Sequence, residues 1–239
     1  MLGSKNITLK SSDSNFEKML KAGVHFGYSR SRRHPKMKQF LFGIKNNVEI
    51  FNLEKTKQKL DEAKEFMKNL GKENKKIIFV GTKIESRKLI ESFAKEISAL
   101  YVNERWIGGT LTNFKTIKNR INYLNDLIKK KETGELEKYT KKEQLQTEKE
   151  ISKLKFHFQG LQTIEDLPSA LVVVDSKKER NAIMEAKKIS IPVMAIMNSD
   201  CNPDDVDYSI PSNDNSKSSI EYILKELTES YKEGMKTKT

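Results

Sequence analysis

Four short runs of unbroken apolar residues punctuate this chain: Ile77-Ile78-Phe79-Val80, Ala99-Leu100-Tyr101-Val102, Ala170-Leu171-Val172-Val173-Val174 and Pro192-Val193-Met194-Ala195-Ile196-Met197. Segments of helical period lie between or after them, at Ile84 to Ile97, Lys178 to Lys188 and Ser216 to Tyr231. Strands that are apolar on both faces must be covered on both faces, and a helix following each strand supplies the cover. The pattern predicts an α/β fold, a doubly wound parallel sheet with right-handed crossovers.

Ahead of the first run, Ser14-Asn15-Phe16-Glu17 reads as a capping box opening a short helix that Gly23 ends. Phe40-Leu41-Phe42 and Val48-Glu49-Ile50-Phe51, separated by Lys45-Asn46-Asn47, predict a hairpin. Leu53, Leu60, Ala63, Met67 and Leu70 form the apolar stripe of a helix, with Gly71 expected just past its end. Residues 112–158 interrupt the strand and helix alternation. Phe114, Ile117, Ile121, Leu124 and Ile128 mark one helix face, and Lys129-Lys130-Lys131 and Gly134 break it. Thr140-Lys141-Lys142-Glu143 then starts a second helix with another capping box, carrying Leu145, Ile151, Leu154 and Phe158. Two readings follow: an antiparallel coiled-coil hairpin projecting from the sheet domain, or two helices packed on the sheet. The expected division is an α/β domain over 1–111 and 159–239, with an amino-terminal extension 1–13, and an inserted helical hairpin over 112–158.

The charge is polarised. The 239 residues carry a formal net charge of +12, made of +9 over residues 1–60, +2 over 61–110, +5 over 111–160 and −4 over 161–239. Such a field draws a polyanion to the amino-terminal and middle parts and leaves the last third free or facing a basic partner. No apolar stretch is long enough to span a bilayer, and the first residues lack the apolar centre of a secretory signal, so a soluble cytoplasmic protein with no membrane partner is expected. Cys201 is the only cysteine, which excludes an internal disulfide and every multi-thiolate metal site and makes a reducing compartment the default.

Enzyme motifs are incomplete. Gly81-Thr82-Lys83 is only a fragment of a phosphate loop, with no G-x-x-x-x-G-K-[ST] or G-x-G-x-x-G around it. The oxygen-rich run Asp200 to Asp205 has Asp205 where a calcium loop needs glycine and Pro211 where it needs a bidentate glutamate. Cys201 has no histidine at a telling spacing and reads as a small packed residue. A nucleotide-dependent enzyme built on Lys83 and the Asp200 loop is the rival reading. No metal, cofactor or small-molecule substrate is expected.

The strongest signal is Arg30-Ser31-Arg32-Arg33-His34-Pro35-Lys36-Met37-Lys38, which holds three of the seven arginines in the chain. Guanidinium groups give bidentate phosphate contacts, and an irregular loop lets successive side chains follow an irregular backbone. The second is Asn103 to Phe114 at the end of a predicted strand, where sites form in open sheets and Gly108-Gly109 permits close backbone approach. Trp106 there either stacks on a base or is buried beneath the helices. The expected RNA-binding set is Arg30, Arg32, Arg33, His34, Lys36, Lys38, Lys83, Arg105, Trp106, Thr110, Asn113, Lys115, Lys118 and Arg120, with no catalytic residue.

Ala22-Gly23-Val24-His25-Phe26-Gly27, His34-Pro35-Lys36-Met37, Val80-Gly81-Thr82-Lys83, Arg105 to Phe114, Lys141-Lys142-Glu143, Leu167-Pro168, Glu185-Ala186, Ile191-Pro192-Val193 and Cys201-Asn202-Pro203-Asp204 occur in one order along the chain, with Asp207-Tyr208 and Ile210-Pro211 after them. Together they resemble the bacterial and organellar small-subunit ribosomal protein S2 family. The resemblance implies a flavodoxin-like sheet domain with an inserted coiled-coil hairpin, seated on small-subunit rRNA between head and body of the ribosome. It also implies neighbouring small-subunit proteins as partners, among them protein S1, whose docking the family supports in translation. The sequence departs from the pattern at Tyr28, where a second histidine is usual, and at Arg33-His34, where an aromatic and an asparagine are usual. Smaller departures are Asn198-Ser199-Asp200 and Ser212-Asn213-Asp214-Asn215.

Overall fold

The computed structural model describes residues 14–237; the extension 1–13 lies outside the described residues, as does the Ser14 side chain on which the first capping box depends. After α1 (Ser14–Lys21), strands β1 (Phe26–Ser29), β2 (Leu41–Lys45) and β3 (Val48–Phe51) make a small antiparallel sheet in the order β1-β3-β2. The β2–β3 turn is Asn46-Asn47, both at positive φ (50° and 63°), a conformation that asparagine tolerates and that matches the twist of a two-residue hairpin. Strand β1 was not evident in the sequence, because Phe-Gly-Tyr-Ser is too short and too mixed to show a period.

The remaining elements are α2 (Leu53–Lys72), β4 (Ile77–Val80), α3 (Ile84–Glu96), β5 (Leu100–Val102), α4 (Phe114–Glu132), α5 (Lys141–Phe158), β6 (Ala170–Val174), α6 (Arg180–Lys188), β7 (Val193–Met197), β8 (Tyr208–Pro211) and α7 (Lys217–Lys236). The last five strands are parallel in the order β5-β4-β6-β7-β8, the flavodoxin-like arrangement. Every residue of β4, β5, β6 and β7 is buried. Alternate side chains serve opposite layers: Ile78, Val80, Leu171 and Val173 pack with α4, α5 and α6, while Ile77, Phe79, Val172 and Val174 pack with α2, α3 and α7. Strand β8 was missed in the sequence. It is a four-residue edge strand ending in Pro211, and proline removes a strand's usual signature.

Gly71 does not end α2 as expected. It lies inside the last turn against Gly234 of α7, where a Cβ on Gly234 would stand 2.1 Å from the Lys68 carbonyl oxygen. The glycine pair is selected by helix-to-helix approach, and the helix stops two residues later at Glu73 with Asn74 left-handed.

Helices α4 and α5 lie between β5 and β6, and the second capping box is formed, Thr140 and Glu143 satisfying each other's backbone. Lys118 donates to the Glu165 carbonyl, Asn125 to the Gln162 carbonyl and Lys131 to Glu148, so the contacts run in opposite chain directions. Ile117, Ile121, Leu124, Leu127, Ile151 and Phe158 join the sheet's core. Among the described side chains, none from 128 to 150 is buried.

The loop from β5 to α4 is held by one carboxylate. Glu185 of α6, itself buried, accepts the indole N–H of Trp106 (3.1 Å), the backbone N–H groups of Gly109 (2.8 Å), Leu111 (3.0 Å) and Thr112 (3.3 Å), and the Thr112 hydroxyl. Gly109 sits at φ 91°, which turns its N–H inward. Burial works against the charge, but these donors outweigh it and hold the carboxyl below its ordinary pKa of 4.5. A folded value below the unfolded one adds stability that is complete above about pH 4.5 and is lost as pH falls through the folded value. Glu185→Gln leaves backbone donors facing an amide and is expected to cost about 2 kcal/mol. Urea unfolding followed by the emission of Trp106, the only tryptophan, checks this. A red-shifted native spectrum is expected in the variant, and an unshifted spectrum with unchanged stability contradicts the clamp.

Candidate nucleic-acid interface

The loop between β1 and β2 is ordered by anchors to the carboxyl edge of the large sheet. It forms two short 3₁₀ turns, Arg30–Arg32 and Pro35–Phe40, with Pro35 at the start of the second. The backbone N–H of Tyr28 donates to the Ser199 hydroxyl (2.9 Å) and that of His34 to the Ser199 carbonyl (2.8 Å). Met37 and Phe40 enter the core on the α4 and α6 side. The departures at Tyr28 and Arg33 are both used in the fold: the Tyr28 hydroxyl donates to Asn215 (2.9 Å), and Arg33 pairs with buried Glu49 (3.1 Å).

The predicted site residues therefore divide. Arg30, Arg32 and Lys38 are exposed and make no ion pair among the described residues, although the Arg32 guanidinium lies 5.4 Å from the Tyr28 ring centroid. Lys36 is exposed and ion-paired with Asp204. Arg33 spends its charge inside the molecule, and His34 caps the second 3₁₀ turn, its Nδ1 accepting from the Lys36 backbone.

Lys83 departs most from expectation. Its ammonium lies between Asp175 (2.7 Å) and Asp214 (2.8 Å), with Asn215 at 3.0 Å, and all but a small part of it is enclosed. Burial opposes the charge, but the Asp214 and Asp175 carboxylates raise its pKa well above the ordinary 10.5. Asn198 donates to Asp214 (2.8 Å), while the Thr82 N–H and hydroxyl both donate to buried Glu179, whose pKa burial raises. These residues follow β4, β6, β7 and β8, at the edge where open α/β sheets bind ligands. Here the protein's own side chains fill the crevice, and the donors that a phosphate loop would offer are already taken. The Cys201 thiol is buried and pushed up to about 12 by that burial, so it is no nucleophile at neutral pH. No group of residues suited to hold a metal occurs among the described residues.

At the second segment, Arg105 is exposed, and its charge, after burial, helps to lower the pKa of His157 at the end of α5, which places it by the foot of the two helices. Trp106 is buried against Glu185, so it is not free to stack on a base. Thr110 is also buried, its hydroxyl donating to the Ile107 carbonyl (2.6 Å). Asn113 is exposed and accepts from the Thr116 hydroxyl (2.8 Å). Lys115 and Arg120 are exposed and unpaired among the described residues, whereas Lys118 donates to the Glu165 carbonyl.

The strand order puts these two groups of cations at separate points of one edge. The first loop is tied to residues after β7 and Arg105 follows β5, three strand spacings or about 14 Å away. The charge polarity expected along the chain becomes a polarity between layers. On the α2, α3 and α7 layer, Lys64 pairs with Glu226, Lys68 with Glu233 and Lys232 with Glu96, so bases and acids cancel across the helix interfaces. Helix α4, on the other layer, carries six basic residues and two acidic ones. Glu185, Asp175 and Asp214 were not expected as site residues from sequence; Glu185 entered only as one of the family matches and Asp214 only within a departure from the pattern, and otherwise their signal was the placement of acids just after strands or inside a helix face.

The family described as Ribosomal protein S2 matches residues 19–234. The chain is 44% identical over 218 residues to the small ribosomal subunit protein uS2 of Dictyoglomus thermophilum, covering 91% of this chain and 89% of the relative. It has the same identity and coverage with uS2 of Dictyoglomus turgidum, and it is 41% identical over 223 residues to uS2c of Cyanophora paradoxa, covering 93% and 96%. A family match across nearly all of the described chain, with relatives this similar end to end, leaves one conclusion: the chain belongs to the ribosomal protein S2 family.

Proposed function

We propose that the protein is a non-catalytic structural constituent of the small ribosomal subunit that binds small-subunit rRNA between head and body. The reading rests on one contrast within the molecule. The one cation that could have cradled a nucleotide, Lys83, is locked between two enclosed carboxylates, while Arg30, Arg32, Lys38, Arg105, Lys115 and Arg120 stand exposed and unpaired among the described residues. Six such charges without carboxylate partners suit a polyanion, whose counterions are released on contact. Lys36, Lys118 and Asn113 lie at the margin of this surface. Arg33, His34, Lys83, Trp106 and Thr110 act as the scaffold that shapes it.

In the same reading, residues 112–158 form an arm inserted into the α/β domain of 1–111 and 159–239, since the buried positions of α4 and α5 cluster near the sheet and the distal ones are exposed. The arm's lysines extend the RNA-facing layer. The neutralised α2 and α7 layer and the acidic last third remain for protein neighbours, and support of protein S1 docking belongs to this part of the role. The working location is the ribosome, in the cytoplasm or in an organelle.

Arg30→Ala with Arg32→Ala is expected to lower occupancy on small subunits after a high-salt wash. The slope of log affinity against log salt for rRNA should fall by about 1.5, with stability changed by less than about 0.5 kcal/mol. Occupancy equal to the parent through that wash contradicts the reading. Lys83→Met is expected to do the reverse. It leaves two buried carboxylates without their counter-charge and should cost about 3 kcal/mol in urea unfolding, while the folded protein keeps the parental salt slope.

A further inference from the structure

The first half of α4 carries a polar face that phosphate contacts alone do not use. Ile117, Ile121 and Leu124 are buried in the core, and Thr116, Asn119 and Asn122, spaced by three, are exposed on the solvent side. They follow the helix for about 9 Å. The Asn119 and Asn122 amides make no hydrogen bond among the described residues. The Thr116 hydroxyl donates to Asn113 (2.8 Å) and keeps its lone pairs for an outside donor. Asparagine is a weak helix former, so two of them within an exposed helix face cost stability that no contact inside the molecule returns.

The surroundings select what this face meets. Residues 105–125 contain four basic residues and no acidic one, and Lys115 and Arg120 lie on either side of Asn119, both exposed and without an ion pair among the described residues. Glu104, just before the segment, is paired with Arg87 (2.7 Å), and Asp126 is the first acid after it. A neutral hydrogen-bonding stripe between cations fits a polyanion that carries hydroxyls as well as phosphates. Single-stranded RNA is held largely by stacking, yet the rings of this segment are engaged. Trp106 is buried on Glu185, Phe114 packs on the core with the Lys118 ammonium 6.0 Å from its ring centroid, and Tyr123 lies against the Glu150 carboxylate of α5. An A-form duplex suits the face better. Its wide, shallow minor groove displays 2′-hydroxyls, each a donor and an acceptor, to short side chains of the same dual character, with phosphates along its borders.

We propose that this face of α4 lies along the minor groove of double-stranded RNA, with Thr116, Asn119 and Asn122 on 2′-hydroxyls and Lys115 and Arg120 on the bordering phosphates. The inference rests on the rRNA-binding reading and deepens it. It names a duplex as the class of RNA met by the foot of the arm, and it assigns to Asn119 and Asn122 the discrimination of RNA from DNA.

The test is fluorescence anisotropy of the full chain with a labelled RNA duplex of about 20 base pairs and with a DNA duplex of the same sequence, each titrated at two salt concentrations. The parent should bind the RNA duplex more tightly than the DNA. Asn119→Ala with Asn122→Ala is expected to weaken RNA duplex binding at least about five-fold, with the DNA affinity and both salt slopes unchanged. Alanine is the better helix former, so this variant keeps its fold. Lys115→Ala with Arg120→Ala should weaken both duplexes and flatten the salt dependence of each. An RNA affinity unaltered by the asparagine variant, or equal losses on RNA and DNA, overturns the groove contact. Arg30→Ala with Arg32→Ala then separates the two readings. If that variant loses RNA binding, the wider rRNA reading survives; if it binds RNA as the parent does, that reading falls as well. Loss of small-subunit occupancy by the asparagine variant with its RNA duplex affinity intact assigns the face to a protein neighbour and also overturns the proposal.

Discussion

The organising constraint of this molecule is one enclosed ammonium. Lys83 follows β4, Asp175 follows β6 and Asp214 follows β8, so a single ion-paired group joins loops from three of the five parallel strands. Three charges in a poorly solvated place are tolerable only together, since each alone carries a large desolvation cost. The same arrangement removes the crevice in which a doubly wound sheet ordinarily holds a cofactor. The fold thus retains the strand order of a doubly wound nucleotide-binding domain while the edge that would hold the ligand is occupied from within.

The exposed basic surface is made selective by subtraction. Both helical layers are rich in lysine, but on the layer of α2, α3 and α7 glutamates stand within reach of the lysines and cancel them across the helix interfaces. On the β1–β2 loop and on α4 most cations have no such neighbours. A polyanion approaching from solution meets a field from one side only, which orients it before contact. Exposed ion pairs add little to stability, so the pairs on the neutral layer matter more for where the net charge is left than for how tightly the helices pack.

Much of the framework was legible in the sequence because period and capping are local. The runs at Ile77, Ala170 and Pro192 became β4, β6 and β7, the stripe from Leu53 became α2, Thr140 and Glu143 closed their capping box, and Asn46-Asn47 made the two-residue turn. Strands β1 and β8 escaped because four residues holding a glycine or a proline carry no readable period. Gly71 misled for a different reason: its requirement comes from Gly234, far away in sequence. The interface was legible as a composition of cations but not as a division of labour. Arg33 and Lys83 look like Arg30 and Lys38 in sequence, and only the distant acids Glu49, Asp175 and Asp214 decide which charges are spent inside. Glu185 is the clearest case, a helical glutamate among many until the loop of Trp106 folds over it.

The tie between His34 and Ser199 has a bearing on the order of events during synthesis. The basic loop is made early, yet Ser199, which holds its backbone, and Asp204, which pairs with its Lys36 side chain, leave the translating ribosome about 165 residues later, and α7 must still arrive to cover α2. A parallel sheet assembled from such distant segments closes slowly. The loop acquires its shaped form only when nearly the whole chain has emerged. A truncated or stalled nascent chain would carry the loop's positive charge without the bonds to Ser199 and Asp204 that shape it.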